Sequence, residues 1–361
     1  MNLNSKKRNQ MSKSTPFFKD VTIKGQNADD MSAADGVITA ESEGVDNRKI
    51  LVIAGVHGNE HNAVLAAYRV YQEFLNETDE KLKNDHTIRF LIGVNRWGLL
   101  NNQREWGTRT DVYPNPMPKD KPIDFNRVFA DESLEKVEDS AWNMRNTIQE
   151  AIKEADIVID VHNSPACANM VLLNNDEYTY DTIAFLEAIH HRYMVWESQT
   201  STIKKYAIDH GKVGFTVELG GMTLGAQDEA VMDHQVSSLK TLINFLDFYM
   251  PKFKKGECLP PHMLAQPIYA KAYGLIDTVT YTRHVEMKKD MVFATMITDS
   301  DNPADAEFRA PCDGYMVACE DRRVLKPGDE IFTWQPKITF PRDYPIPGVN
   351  NDTWEKRNEQ N

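Results

Sequence analysis

The stretch that most constrains this chain is KILVIAGVHGNEHNAVLAA, residues 49–67. Ile50 to Val56 are all apolar or Gly, the pattern of a strand covered on both faces. The polar group that follows breaks the run and opens at once into a helical pattern. His57 and Glu60 sit three apart at this strand-to-helix turn. A turn lets both side chains converge on one point, and imidazole with carboxylate is an ordinary zinc pair. Gly58 between them is expected to let the backbone turn tightly.

Two residues do not fill a tetrahedral site. A second buried-looking strand, Ile157 to Val161, delivers His162 at its C-terminal end, and open α/β sheets gather ligands outside the carboxyl ends of their strands. A third run, Val213 to Gly220, carries Glu218 near its end. His57, Glu60 and His162 would hold a metal with one position left open, and Glu218 would take a proton from water there. The constellation is that of a metal-dependent hydrolase. Alternation along the strand puts Asp160 on the same side as His162, where it would orient that ligand or bond the backbone. Asn163 and Ser164 follow the ligand, and Asn163 is a candidate substrate contact.

Four motifs occur in order: His57-x-x-Glu60, Asp124-Phe-Asn-Arg-Val-Phe129, Asp160-Val-His162 and Glu218-Leu-Gly220. On these the chain resembles the zinc-dependent succinylglutamate desuccinylase/aspartoacylase family over about Ile50 to Tyr249, with a continuation after Leu264. The resemblance implies an α/β, mixed-sheet, zinc carboxypeptidase-like domain with helices on both faces, followed by a smaller all-β domain. It implies one zinc ion per chain. It makes Asn126 and Arg127 the pair that binds the substrate carboxylate, a role suited to a bidentate guanidinium beside a neutral donor. It also implies an arginine shortly before Asp124 that polarises the scissile carbonyl. Arg109 is assigned to it with Arg104 as the rival, across an interval longer than the family's.

The chain of 361 residues is long enough for two domains. The expected division is a polar N-terminal arm at 1–47, a catalytic domain at 48–250, a linker at 251–262, a β-rich lipoyl-like sandwich at 263–345 and a polar tail at 346–361. No run of eighteen apolar residues occurs and no apolar segment follows the N-terminal lysines, so a cytoplasmic protein without a membrane partner is expected. The net charge of −13 argues against nucleic acid as a partner. The expected partner is a small N-acyl amino acid or related compound, and a homo-oligomer is allowed. Cys167, Cys258, Cys312 and Cys319 have no paired spacing; Cys167, near His162, reads better as packing than as a nucleophile.

Along the chain, helices are expected over 62–74, 134–154, 180–190, 201–210 and 229–249, and strands over 87–94, 169–173 and 191–196. Asn95 and Arg96 end a strand either as a capping pair or as cleft residues. The aperiodic segment 101–122 reads as a rigid loop beside the cleft. His190 and His191 read as boundary residues, since successive side chains diverge. In the second domain, 268–276, 278–284, 291–298 and 314–318 read as strands, and 324–334 as scaffold closing one wall of the site. Arg104, Lys204, Arg283 and His284 are candidates for a second basic contact to substrate. Two rival functions stand beside a deacylase: a carboxypeptidase acting on peptides, and a protein that binds zinc or a ligand without catalysis.

Overall fold

The computed structural model describes residues 19–23, 49–76, 87–106, 123–129, 139–164, 169–174, 182–183, 186–187, 191–196, 199–220, 229–249, 259–279, 285–319 and 324–338. In chain order, β1 (Lys19–Ile23), β2 (Lys49–Ala54), β3 (Thr87–Ile92), β4 (Ile157–His162), β5 (Met170–Asn174), β6 (Tyr193–Trp196) and β7 (Val213–Glu218) make one sheet. Its spatial order is β1-β3-β2-β4-β7-β5-β6. The centre is parallel, whereas β1 runs antiparallel to β3 and β5 antiparallel to β7. The mixed sheet expected from the family resemblance is therefore present.

Among the described residues the helices beside it include α1 (His61–Asn76), α2 (Arg96–Asn101), α3 (Asp139–Glu154), α4 (Ile203–Asp209) and α5 (Glu229–Tyr249). Alternate residues of β2 feed two cores. Ile50, Val52 and Ala54 pack with Ala63, Ala67 and Val70 of α1 and Leu239, Leu242 and Ile243 of α5. Leu51 and Ile53 pack with Ile148 and Ile152 of α3 and Ile203 and Ala207 of α4. Period-2 alternation with apolar residues on both sides is what places helices on both faces.

The remaining strands are β8 (Gln266–Tyr269), β9 (Gly274–Val279), β10 (Glu286–Met287), β11 (Val292–Thr298), β12 (Glu307–Arg309), β13 (Gly314–Cys319), β14 (Val324–Leu325) and β15 (Glu330–Pro336). They form two four-stranded sheets, β10-β13-β15-β8 and β12-β11-β9-β14, paired antiparallel throughout. Phe332 fills the space between them, edge-on to Phe293 and Phe308 at 5.0 Å in each case. The single strand expected over 268–276 is instead two. Hydrogen bonds from Ala270 to Asp329 and from Gly328 to Ala270 turn the chain out of the first sheet, and Ala270 and Ala272 are buried at the corner.

The described end of the connector, from Leu259, packs on the large sheet's core. Leu259, Leu264 and Ile338 are buried within the core shared by α1 and α5. Met170 and Met194 of the large sheet pack on Val317 of β13. The β unit is thus fitted against the β5–β6 side of the large sheet. The expected helix over 180–190 lies mostly outside the described residues, although Ile183 and Leu186 are buried in the core.

Candidate metal centre and active site

β2, β4 and β7 are adjacent, parallel and in register, Ala54 opposite Val161 and His162 opposite Glu218. Their carboxyl ends therefore deliver His57, Glu60, His162 and Glu218 to one place, as strand-end geometry requires. Gly55 leaves β2 at φ +82°, a left-handed conformation suited to glycine. Gly58 lies in the turn expected of it, closed by Glu60 N–H donating to the His57 carbonyl at 3.3 Å, and it has a second, steric reason to be glycine. A Cβ there would lie 2.0 Å from the carbonyl carbon of Gly98 and 2.3 Å from the Leu99 nitrogen, so its role is to let α2 pack directly against the ligand turn. Asn95 completes that contact: its side chain accepts from Gly98 N at 2.9 Å and donates to the Val56 carbonyl at 3.0 Å. It acts as a cap, one of the two readings open for it.

The three metal-ligand candidates are buried and converge. His57 Nδ1 lies 2.8 Å from Glu60 Oε1, His162 Nδ1 lies 2.9 Å from Glu60 Oε2, and the two Nδ1 atoms are 3.1 Å apart. One donor atom from each residue falls within 4.8 Å of the others. Two imidazoles and a carboxylate converging this closely form a donor set suited to a divalent metal with an open position. The far ring nitrogens are held by carboxylates: His57 Nε2 is 3.1 Å from Asp124 Oδ1 and His162 Nε2 is 2.9 Å from Asp160 Oδ2. Such pairs fix which nitrogen faces the metal and raise its basicity. Asp160 does orient His162, as alternation suggested; the role of Asp124 was carried only by its motif.

The charges respond to this crowding. Burial pushes the Glu60 carboxyl up, but His162 and His57 outweigh it and hold the group far below the usual carboxylate range. Asp124 is likewise driven down, with hydrogen bonding to His57 and the charge of Arg104 overcoming burial. Burial lowers the His162 pKa, but Asp160 and Glu60 outweigh it and raise the group well above the ordinary imidazole value. Glu218 goes the other way: burial, reinforced by the negative charge of Glu60, pushes it up to about 8. Its Oε2 is shut off from solvent with no hydrogen-bond partner among the described residues, and the residue lines the cavity beside the ligand candidates. An unpaired carboxyl there suits a group that exchanges protons with a reactant.

The cavity has a volume of about 390 Å³. Around the metal-ligand candidates its wall includes Arg104, Asn126, Arg127 and Asn163; the other lining residues include Met194, Trp196, Lys204, Thr216, Ala318 and Thr333. Arg104 lies 3.6 Å from Glu60 Oε1 and pairs with Asp124 at 3.2 Å. Arg109 lies outside the described residues, so Arg104 is the described cation beside the ligands. Arg127 is exposed and donates to the Asn126 carbonyl. Asn126 is buried and also works inward: Nδ2 donates to Asp160 at 3.1 Å, and Oδ1 accepts from Ile203 N at 3.0 Å. Asn163 donates its backbone N–H to Glu60 Oε2 at 3.1 Å and its side-chain amide to the Gly220 carbonyl.

Of the other candidates, Lys204 is buried on α4 with Nζ 2.6 Å from Asn174 Oδ1, which places it in the cavity wall. Arg283, His284, Cys167 and His190 lie outside the described residues. His191 is held by Ser238 and the Arg192 carbonyl, a boundary role. Gln235 was missed: it is buried on α5 and donates to the Gly220 carbonyl at 2.7 Å, tying down the segment after Glu218. A lone Gln in a helix carries no sequence signal for that role.

An α/β sheet with two histidines, a glutamate and an unpaired acid at its strand ends defines a metal-dependent hydrolase site. The model of the succinylglutamate desuccinylase/aspartoacylase catalytic domain matches residues 46–246, and the chain belongs to that family. Among solved structures, an aspartoacylase family protein from Mesorhizobium loti is 15% identical with a TM-score of 0.55, over 90% of this chain and 96% of that one. The product-bound ectoine utilization protein EutE (DoeB) from Ruegeria pomeroyi is 16% identical with a TM-score of 0.54, over 81% and 86%. A succinylglutamate desuccinylase/aspartoacylase from Rhodobacter sphaeroides is 15% identical with a TM-score of 0.54, over 83% and 87%. These likenesses extend the shared fold beyond the catalytic domain into the β unit. No curated protein matches the sequence. Among the described residues no helix is long and apolar enough to cross a membrane.

Proposed function

We propose that the chain is a zinc-dependent amidohydrolase that removes the acyl group from an N-acyl amino acid or a related small carboxylated amide. The observation that carries this reading is the convergence of His57, Glu60 and His162 beside the unpaired carboxyl of Glu218. Zinc held by those three residues would supply a Lewis acid and lower the pKa of a water molecule. Glu218 accepts the proton of the attacking water and hands it to the leaving nitrogen, for which a raised pKa near the working pH is suited. Positive charge for the oxyanion of the tetrahedral state comes from Arg109, assigned by the family resemblance, or from its rival Arg104, which lies 3.6 Å from Glu60 in the cavity wall. Arg127 holds the substrate carboxylate at the exposed side of the cavity. Asn126 and Asn163 assist there by fixing His162, through Asp160, and Glu60 in place. Thr333 and Ala318 of the β unit stand in the cavity wall, which favours a compact substrate over a long peptide.

The test is mass-spectrometric turnover of a pooled panel of N-acetyl, N-succinyl and longer N-acyl amino acids with C-terminal dipeptides, with bound zinc quantified. Release of a free amino acid from an acylated member, abolished by Glu218→Gln at unchanged zinc content, is expected. Cleavage of the dipeptides alone would replace the deacylase with a peptidase.

A further inference from the structure

We propose that Gln335, outside the catalytic cluster, is the positioning residue that sets the width of the substrate cavity by tethering its two walls. One wall is β6, the last strand of the large sheet. Met194 and Trp196 line the cavity, while Val195 between them is buried in the opposite core. β6 pairs with β5 on one side, so the outward N–H and C=O of Val195 need partners from elsewhere. The β unit supplies both. Gln335 Oε1 accepts from Val195 N at 2.8 Å, and Ala265 N donates to the Val195 carbonyl at 2.8 Å.

The other wall is β15. Thr333 and Gln335 are two apart on this strand and share a face; Thr333 lines the cavity, and Gln335 reaches the neighbouring backbone. Gln335 is 1% exposed, and its Nε2 donates to the carbonyls of Met263 at 2.9 Å and Pro336 at 3.0 Å. One side chain thus joins the edge strand, the connector and β15. Because its bond falls on the residue between Met194 and Trp196, it fixes both of them relative to Thr333. A side chain standing in for a strand partner permits only one spacing, since a shift leaves buried N–H and C=O groups unpaired. The size of acyl group admitted follows from that spacing. The consequence for specificity rests on the deacylase reading, whereas the tether does not.

Gln335→Met keeps the volume and removes the polar partners. In the zinc-loaded full chain, amide exchange at 194–196 is expected to quicken. The kcat/KM of longer acyl substrates should rise about tenfold relative to the shortest one, with zinc content and kcat on the shortest unchanged. Gln335→Glu retains an acceptor for Val195 N–H and should recover protection there. If Gln335→Met does not fold, Gln335→Asn carries the same comparison. Exchange and the substrate ratio both as in the parent would overturn the proposal, as would an equal loss on every substrate, which marks a merely structural role. Faster exchange with no acyl amino acid cleaved even by the parent would sink the deacylase reading and leave the tether standing.

Discussion

Replacing Glu218 with Gln should stabilise the metal-free protein, and increasingly so as the pH rises. The group moves from an ordinary value of 4.5 to about 8 in the folded chain, because burial and Glu60 disfavour its charge. A carboxyl whose folded pKa is raised binds its proton more tightly folded than unfolded. Its stabilising contribution is therefore fully present below the unfolded value and is lost as pH rises through the folded one. Between those limits the loss is about 1.4 kcal/mol per pH unit. From pH ~5.5 to pH ~7.5 the parent should lose roughly 2 to 3 kcal/mol at this site, and the Gln variant should not. For a domain of this size that corresponds to a gap of about 5–10 °C in Tm. Chelated parent and variant would be melted in parallel at several pH values, then again with zinc. The curves should coincide at the acid end and separate above it, and zinc should narrow the gap by favouring the ionised carboxylate. Parallel melts across the whole range would refute the assignment of Glu218 as a buried, uncompensated acid.

Three further outcomes follow from the geometry. Gly58→Ala forces a methyl group into the backbone of Gly98 and Leu99; a loss of roughly 3 kcal/mol or more is expected by urea unfolding, together with weaker zinc retention. A fully stable variant would show that α2 does not sit on the ligand turn. Asp160→Asn removes the carboxylate behind His162 and should weaken zinc affinity about 10- to 100-fold by competition with a chromophoric chelator, whereas unchanged affinity would deny Asp160 that role. Arg104→Ala should lower kcat about 100-fold with zinc retained, and full activity would shift the oxyanion role to Arg109.

The convergence of His57, Glu60 and His162 was legible in the sequence because the two runs of apolar residues before His57 and His162 read as buried strands, with Glu60 on the turn that follows the first. A parallel sheet brings such ends together without further information. Glu218 was legible for the same reason, and Asp160 through alternation with His162. The contribution of Asp124 was not, since only the folded turn brings its carboxylate to the ring of His57. Gly58 was legible as a turn residue, but its further requirement of space for α2 was not, being a contact between segments forty residues apart. The division of 268–276 into β8 and β9 was hidden because apolar composition continues through the corner, where Ala270 N–H donates to the Asp329 carbonyl and Gly328 N–H to the Ala270 carbonyl, fixing where the chain leaves the sheet. Gln235 and Gln335 carry no local pattern. Both matter only through backbone groups that distant parts of the chain leave unpaired, which no periodicity records.

The most direct test of the metal centre is anomalous diffraction at the zinc edge from crystals of the zinc-loaded protein. A single peak per chain within about 2.0–2.3 Å of His57 Nδ1, His162 Nδ1 and a Glu60 oxygen is expected, with the remaining position facing Glu218. A peak at other residues, or none at these three under saturating zinc, would contradict the assignment of this cluster as the catalytic centre.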